Sequence, residues 1–170
     1  MIRVGVLTVS DSAAAGERQD VSGPEIRRRC EGLGWTVAVH GVVADDYSQI
    51  ATKLIDWAGS GEVDLILTTG GTGIAKRDVT PEATASVLER ELPGFAEVMR
   101  SEGRKKTKLA VLSRAMAGTR GRTLIVNFPG SPKGAMESLD AIADLVPHAV
   151  DLLAGRTEHQ AAENKAKTLA

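Results

Sequence analysis

The sequence predicts a single three-layer α/β/α domain with a mainly parallel sheet and an antiparallel hairpin at the sheet edge. Three observations lead there. Short apolar runs of β type alternate along the chain with stretches of helical period. Two of those runs discharge into glycine-bearing turns that open helices, at Gly70–Gly73 and at Pro129–Gly134. A chain of 170 residues, 42% hydrophobic and 25% charged, suits one domain with a sizeable core. Strands separated by helices call for right-handed crossovers and a sheet covered on both faces.

Each element has its own signal. Arg3 to Ser10 reads as a buried strand, and Ser22-Gly23-Pro24-Glu25 has the spacing of a capping box opening a helix that Gly34 closes. Trp35 to Val43 is a second strand. Ser48 is the expected cap of the next helix, where Ile50, Ala51, Leu54, Ile55 and Ala58 recur at helical spacing before Gly59. Val63 to Thr69 is the third strand. Thr80 as N-cap and Pro81 at the first helical position open a helix reaching about Arg90, and Leu92-Pro93-Gly94 separates it from another ending near Glu102. Leu109 to Gly118 fits neither period cleanly. Thr119-Arg120-Gly121-Arg122 forms a turn into the apolar strand Thr123 to Asn127, the pair giving the edge hairpin. Ser131 and Pro132 then start a helix to Val146, and a shorter one runs from Pro147 to Leu153. The domain is expected over residues 1–155, with 156–170 a polar, frayed tail.

Composition removes several classes of function. A formal net charge of -1 and a pI near 6.3 give no electrostatic footprint for nucleic acid or an anionic membrane. Arg104-Lys105-Lys106 lacks interleaved aromatics and reads as a solvated face. The single Cys30 cannot form an internal disulfide and reads as helix packing. The first apolar run meets Asp11 too soon for a membrane span and lacks a signal-peptide cleavage pattern, so cytoplasmic residence is the expectation.

The chemistry concentrates at the first glycine turn. Gly70, Gly71, Thr72 and Gly73 allow positive φ and close approach of a ligand, and such turns sit at the carboxyl ends of strands, where open α/β sheets bind ligands. Successive amides there favour anions, so phosphate is the expected part of the ligand. Neither a P-loop nor a dinucleotide glycine pattern is present. Asp11, Asp45-Asp46 and Asp78 follow the first, second and third strands, so an open sheet brings them to one edge. Such carboxylates suit Mg²⁺, which takes one or two of them together with substrate phosphates. Asp78 and Asp45 are the candidates, while Asp46 is equally readable as a solvated neighbour. Arg114 and Lys133 are cations able to meet phosphate or carboxylate, and for Lys133 a surface role is equally consistent. His40, His148 and His159 share no metal-ligand spacing.

Four separated motifs, Thr69-Gly70-Gly71-Thr72-Gly73, Arg77-Asp78-Val79-Thr80-Pro81-Glu82-Ala83, Leu112-Ser113-Arg114 and Asn127-Phe128-Pro129-Gly130-Ser131-Pro132-Lys133-Gly134, together resemble the molybdopterin-binding family of molybdenum cofactor biosynthesis. The resemblance runs from the first strand to about Gly155 and is strongest toward the adenylyltransferase branch and gephyrin-type G domains. It implies the α/β/α fold, a homotrimer, and transfer of AMP from ATP to the terminal phosphate of molybdopterin with release of pyrophosphate, ahead of molybdate insertion by a partner protein. It further implies that Asp45 and Asp78 coordinate Mg²⁺ and position the reacting phosphates. Ser10, Asp11, Gly70 to Gly73, Thr80, Pro81, Glu82, Ser113, Arg114 and the loop Pro129, Gly130, Ser131, Pro132, Lys133 and Gly134 are implied to hold ATP and molybdopterin. A non-catalytic carrier or scaffold of the same family is the alternative.

Overall fold

A computed structural model describes residues 1–156. Its strands are β1 (Arg3–Val9), β2 (Thr36–Val43), β3 (Leu65–Thr69), β4 (Arg90–Glu91), β5 (Ala117–Arg120) and β6 (Thr123–Phe128). The helices are α1 (Asp11–Ala14), α2 (Ser22–Gly32), α3 (Tyr47–Gly59), α4 (Thr80–Val87), α5 (Pro93–Arg104), α6 (Pro132–Ile142) and α7 (Val146–Leu153), with a 3-10 turn at Lys108–Leu112. All six strands form one sheet in the order β2-β1-β3-β6-β5-β4. The first four in that order run parallel, and β5 and β4 pair antiparallel at one side.

β3 and β6 are buried along their whole length, as expected of parallel strands covered on both faces. Their side chains still alternate between two cores. Leu65, Leu67, Leu124, Val126 and Phe128 face Ile26 and Cys30 of α2, Met99 of α5, Leu139 and Ile142 of α6, and Val146 of α7. Ile66 and Ile125 face Ile50 and Leu54 of α3 and Ala83 and Val87 of α4. Each such side chain contributes about 1.5–3 kcal/mol by leaving water, before the entropy of ordering it. The Trp57 indole lies across Gly5 of β1 and Gly41 of β2, and a Cβ on Gly5 would sit 2.9 Å from its Cε3. Cys30 is fully buried, and burial pushes its thiol up to about 12. No helix among the described residues is long and apolar enough to cross a membrane.

Several local expectations are corrected. Ser22 is already helical and does not cap α2; the N-cap position falls on Val21, whose side chain cannot accept, and Asp20 Oδ1 just ahead of it takes the Gly23 amide at 3.0 Å. Asp46, not Ser48, caps α3, its Oδ1 accepting the Gln49 amide at 2.9 Å. Thr80 is the first residue of α4, not its cap, because its hydroxyl is turned to the Gly70 carbonyl. That helix stops at Val87, since Arg90–Glu91 pair with β5 as a two-residue strand that alternation was too short to reveal. The β5–β6 hairpin is therefore one strand in from the edge, and its strands reach Arg120 and Thr123 around a turn at Gly121–Arg122. α6 ends at Ile142 rather than Val146. α1 was not anticipated; Ser10 caps it. The tail reading falls, after Arg156, outside the described residues.

Candidate active site

From β1 the chain moves outward to β2 and then returns to the opposite flank of β1 as β3. The crossovers on either side of that reversal leave a crevice beyond the carboxyl ends of β1 and β3, the position where open α/β sheets bind ligands. A cleft of about 560 Å³ occupies it. Its walls include Ser10, Asp45, Gly70, Gly71, Asp78, Gly130, Ser131 and Pro132.

The first turn depends on two glycines. Gly70 has φ +105°, and a Cβ there would run into the Val9 carbonyl oxygen. Gly71 has φ +66°, and a Cβ there would collide with Thr80 Oγ1 and lie 3.1 Å from Asp45 Oδ1. Only glycine meets both demands. Buried Thr80 fastens the turn from inside: its hydroxyl donates to the Gly70 carbonyl at 2.9 Å and its amide to the Gly71 carbonyl at 3.1 Å. Gly73 packs against Asp78 Oδ2, 2.8 Å from where its Cβ would stand.

Asp45 and Asp78 are each held on one oxygen, and Asp11 on both. Asp45 Oδ2 accepts the Asp11 amide and Asp11 Oδ1 accepts the Asp45 amide, both at 2.9 Å, a reciprocal clasp between the loops after β1 and β2. Arg77 grips Asp11 at 2.9 and 2.7 Å. Asp78 Oδ2 accepts the Ala75 amide at 2.8 Å. Asp45 Oδ1 and Asp78 Oδ1 accept no hydrogen bond from the described residues. Burial, and then the neighbouring charges of Asp11 and Asp78, push the Asp45 carboxyl above its ordinary value, against the pull of the Asp11 amide. Hydrogen bonds from Arg77 hold Asp11 below its ordinary value.

No group of three or more His, Cys, Asp or Glu side chains stands ready to hold a metal among the described residues. Two carboxylates with a spare oxygen each, facing a cleft, nevertheless match the donor set of Mg²⁺ arriving with phosphates, which supply the remaining ligands. The residues fit such an ion.

The second turn touches the first, for a Cβ on Gly130 would lie 3.2 Å from the Gly70 Cα. Ser131 caps α6 as expected, its Oγ accepting the Gly134 amide at 3.1 Å. Thr69 Oγ1 donates to the Pro129 carbonyl at 2.7 Å. The amides of Gly71 and Thr72 donate to no described residue, and the exposed Lys133 makes no ion pair there. Free amides, the start of α6 and a lysine are groups of the kind that bind anions.

The other expected residues fall into two groups. Asp11, Thr72, Gly73 and Thr80 build or brace the turn without lining the cleft. Pro81, Glu82, Ser113 and Arg114 line a separate shallow depression, and Ser113, Pro129 and Gly134 border a narrow pocket beside Arg100 and Glu137. Sequence reasoning missed Thr8 in the cleft wall, and within the segment Ala13 to Val21, where the sequence leaves the lining residues open, the structure puts Arg18, Gln19 and Asp20 on the wall. Asp20 was detectable by its spacing to Gly23, and its other oxygen accepts the Thr8 hydroxyl at 2.8 Å. Buried Asn127 also escaped notice as a brace: its amide nitrogen donates to Thr68 and Thr84, both at 3.0 Å, tying β3, β6 and α4 together.

Fold and cleft define an open α/β protein with a carboxylate pair at the switch point of its sheet. The family described as "Probable molybdopterin binding domain" matches residues 5–148. The chain is 44% identical over 156 residues to the molybdopterin adenylyltransferase of Helicobacter pylori strain J99, covering 91% of this chain and 89% of that protein. It is also 33% identical to the Escherichia coli protein of the same name, over 91% and 86% of the two chains. Among solved structures, the molybdopterin biosynthesis enzyme MoaB of Thermus thermophilus superposes with a TM-score of 0.86 at 54% identity, covering 91% of this chain and 98% of that one. The Mog protein of Mycobacterium ulcerans gives 0.84 at 42%, over 90% and 99%. The protein belongs to the molybdopterin-binding family of molybdenum cofactor biosynthesis.

Proposed function

We propose that the protein catalyses adenylylation of molybdopterin. The observation that carries this reading is the pair Asp45 and Asp78, each with an unengaged oxygen, in a cleft that also takes in the Gly70–Gly71 turn and the start of α6 at Gly130 to Pro132. Relatives named molybdopterin adenylyltransferase support it.

In the reaction, an oxygen of the molybdopterin terminal phosphate attacks the α-phosphorus of ATP. A new P–O bond forms as the bond from the α-phosphorus to the β-bridging oxygen breaks, and pyrophosphate departs with the electron pair. Phosphoryl chemistry of this kind needs position and charge neutralisation more than a side-chain nucleophile. Asp45 and Asp78 would hold Mg²⁺, which when bound neutralises phosphate charge in reactants and leaving group. The free Gly71 amide and the start of α6 orient phosphate oxygens, and Lys133 adds positive charge beside them. Assembly as a homotrimer and hand-over of the product to a molybdate-inserting partner belong to the same reading.

The test is pyrophosphate release by the purified protein given ATP, Mg²⁺ and molybdopterin, with the adenylylated product identified by mass. Product requiring all three components, and lost in Asp78→Ala, is the expected result. Tight molybdopterin binding with no product would replace this reading by the carrier role.

A further inference from the structure

Arg114 stands where a phosphate-binding cation is expected, yet its guanidinium is already engaged on the protein. Nε donates to the Gly73 carbonyl and Nη2 to the Asp78 carbonyl, each at 2.7 Å, while Nη1 donates to Glu82 Oε1. Its own amide donates to the Thr72 carbonyl at 2.8 Å. Four positions on the glycine turn and the following helix are thus fastened to one residue. Arg114 is fastened in turn, because Arg100 Nη1 of α5 donates to the carbonyls of Ser113 and Ala115 on either side of it, at 3.3 and 2.9 Å. Arg114 faces a shallow depression with Glu82 and Ser113 and does not line the cleft holding Asp45 and Asp78.

We propose that Arg114 is a positioning residue: by clamping the Gly73 and Asp78 carbonyls it fixes the direction of the Asp78 carboxylate toward the cation, and it contacts neither substrate. The inference rests on Asp78 holding Mg²⁺ as proposed above. Its physical basis is the fork of a guanidinium, which spans two carbonyls and a carboxylate at once. A lysine in its place keeps the charge but reaches one acceptor at a time.

The experiment compares wild type, Arg114→Lys and Arg100→Met by amide hydrogen exchange, by titration with Mn²⁺ alone and together with ATP, and by steady-state kinetics. In Arg114→Lys, exchange across residues 71–79 is expected to rise about tenfold with the core strands unchanged. Mn²⁺ affinity is expected to fall about tenfold, and the KM for molybdopterin at saturating cation to stay within about twofold of wild type. Arg100→Met, which leaves Arg114 in place, should show the same pattern at smaller amplitude. Unchanged loop exchange in Arg114→Lys would overturn the clamp. Unchanged Mn²⁺ affinity with a raised molybdopterin KM would also overturn it, making Arg114 a substrate ligand. A wild type that binds Mn²⁺ neither alone nor together with ATP would instead sink the proposed function, a result separable from the other two.

Discussion

The two glycine-bearing turns of this protein share a place in the fold and differ in construction. Both follow a central parallel strand, open a helix with proline in its first turn, and meet at Gly70 and Gly130. The 70–80 turn is held by side chains from all around it: Thr80 from below, Arg114 from the depression, and Arg77 reaching to Asp11. The 129–134 turn rests on one cap, Ser131, and one hydrogen bond from Thr69. The difference follows charge. The first turn must keep a carboxylate aimed while carboxylates repel one another, whereas the second offers amides and a helix end, which the backbone orients unaided.

Alanine scanning of the glycines should expose this difference most strongly. Gly70→Ala meets both a left-handed backbone and the Val9 carbonyl, and is expected to cost about 3 kcal/mol of stability. Gly130→Ala meets only a tight contact at 3.2 Å and is expected to cost about 1 kcal/mol. Urea midpoints of the two variants measure the gap. Equal losses would mean that the turns are built alike after all.

Next in size comes the functional side of the same contrast. Asp78→Ala removes a charge from the cleft without opening the core, so turnover should fall about a hundredfold or more, equivalent to about 2.7 kcal/mol, while the melting temperature stays within a few degrees. A folded Asp78→Ala that adenylylates at a near-normal rate would remove the carboxylate turn from the mechanism. Ser131→Ala loses the cap of α6 and should cost about 1 kcal/mol of stability, with a raised KM for the anionic substrates as the helix end frays. If stability falls and KM does not move, α6 is only a structural neighbour of the cleft.

How much of this was readable beforehand depended on the range of the interaction. The layers, the parallel strands and the Ser131 cap follow from local period and local hydrogen-bonding chemistry, and the structure repeats them. The convergence of Asp45 and Asp78 followed from their common place after parallel strands. What escaped was set by contacts distant in sequence. Thr80 has every local mark of a cap, but the Gly70 carbonyl takes its hydroxyl. Arg114 looks like a free cation until the turn at 73–82 folds against it. Strand β4 exists only because β5 is present to pair with it. Asp20 is a local feature overlooked because Ser22 offered a rival pattern.

The smallest effect tests the outer end of the clamp through pH. The Arg114 guanidinium, by its hydrogen bond to Glu82, holds that carboxyl below its ordinary value of 4.5. A depressed folded-state value means that the pair's stabilisation is fully present above the unfolded value of 4.5 and is lost as pH falls through the folded value. About half of the Glu82 side chain is exposed, so solvent screening limits the pair to at most about 1 kcal/mol. Glu82→Gln should therefore be slightly less stable than wild type at pH 7, with the two converging as the solution is acidified well below 4.5. Taking the difference between the two proteins removes the acid sensitivity of other pairs such as Arg3–Asp64, which is common to both. A difference that stays constant from neutral to acid pH would show that Glu82 serves by shape rather than charge. The clamp on Asp78 would then depend on the two carbonyls alone.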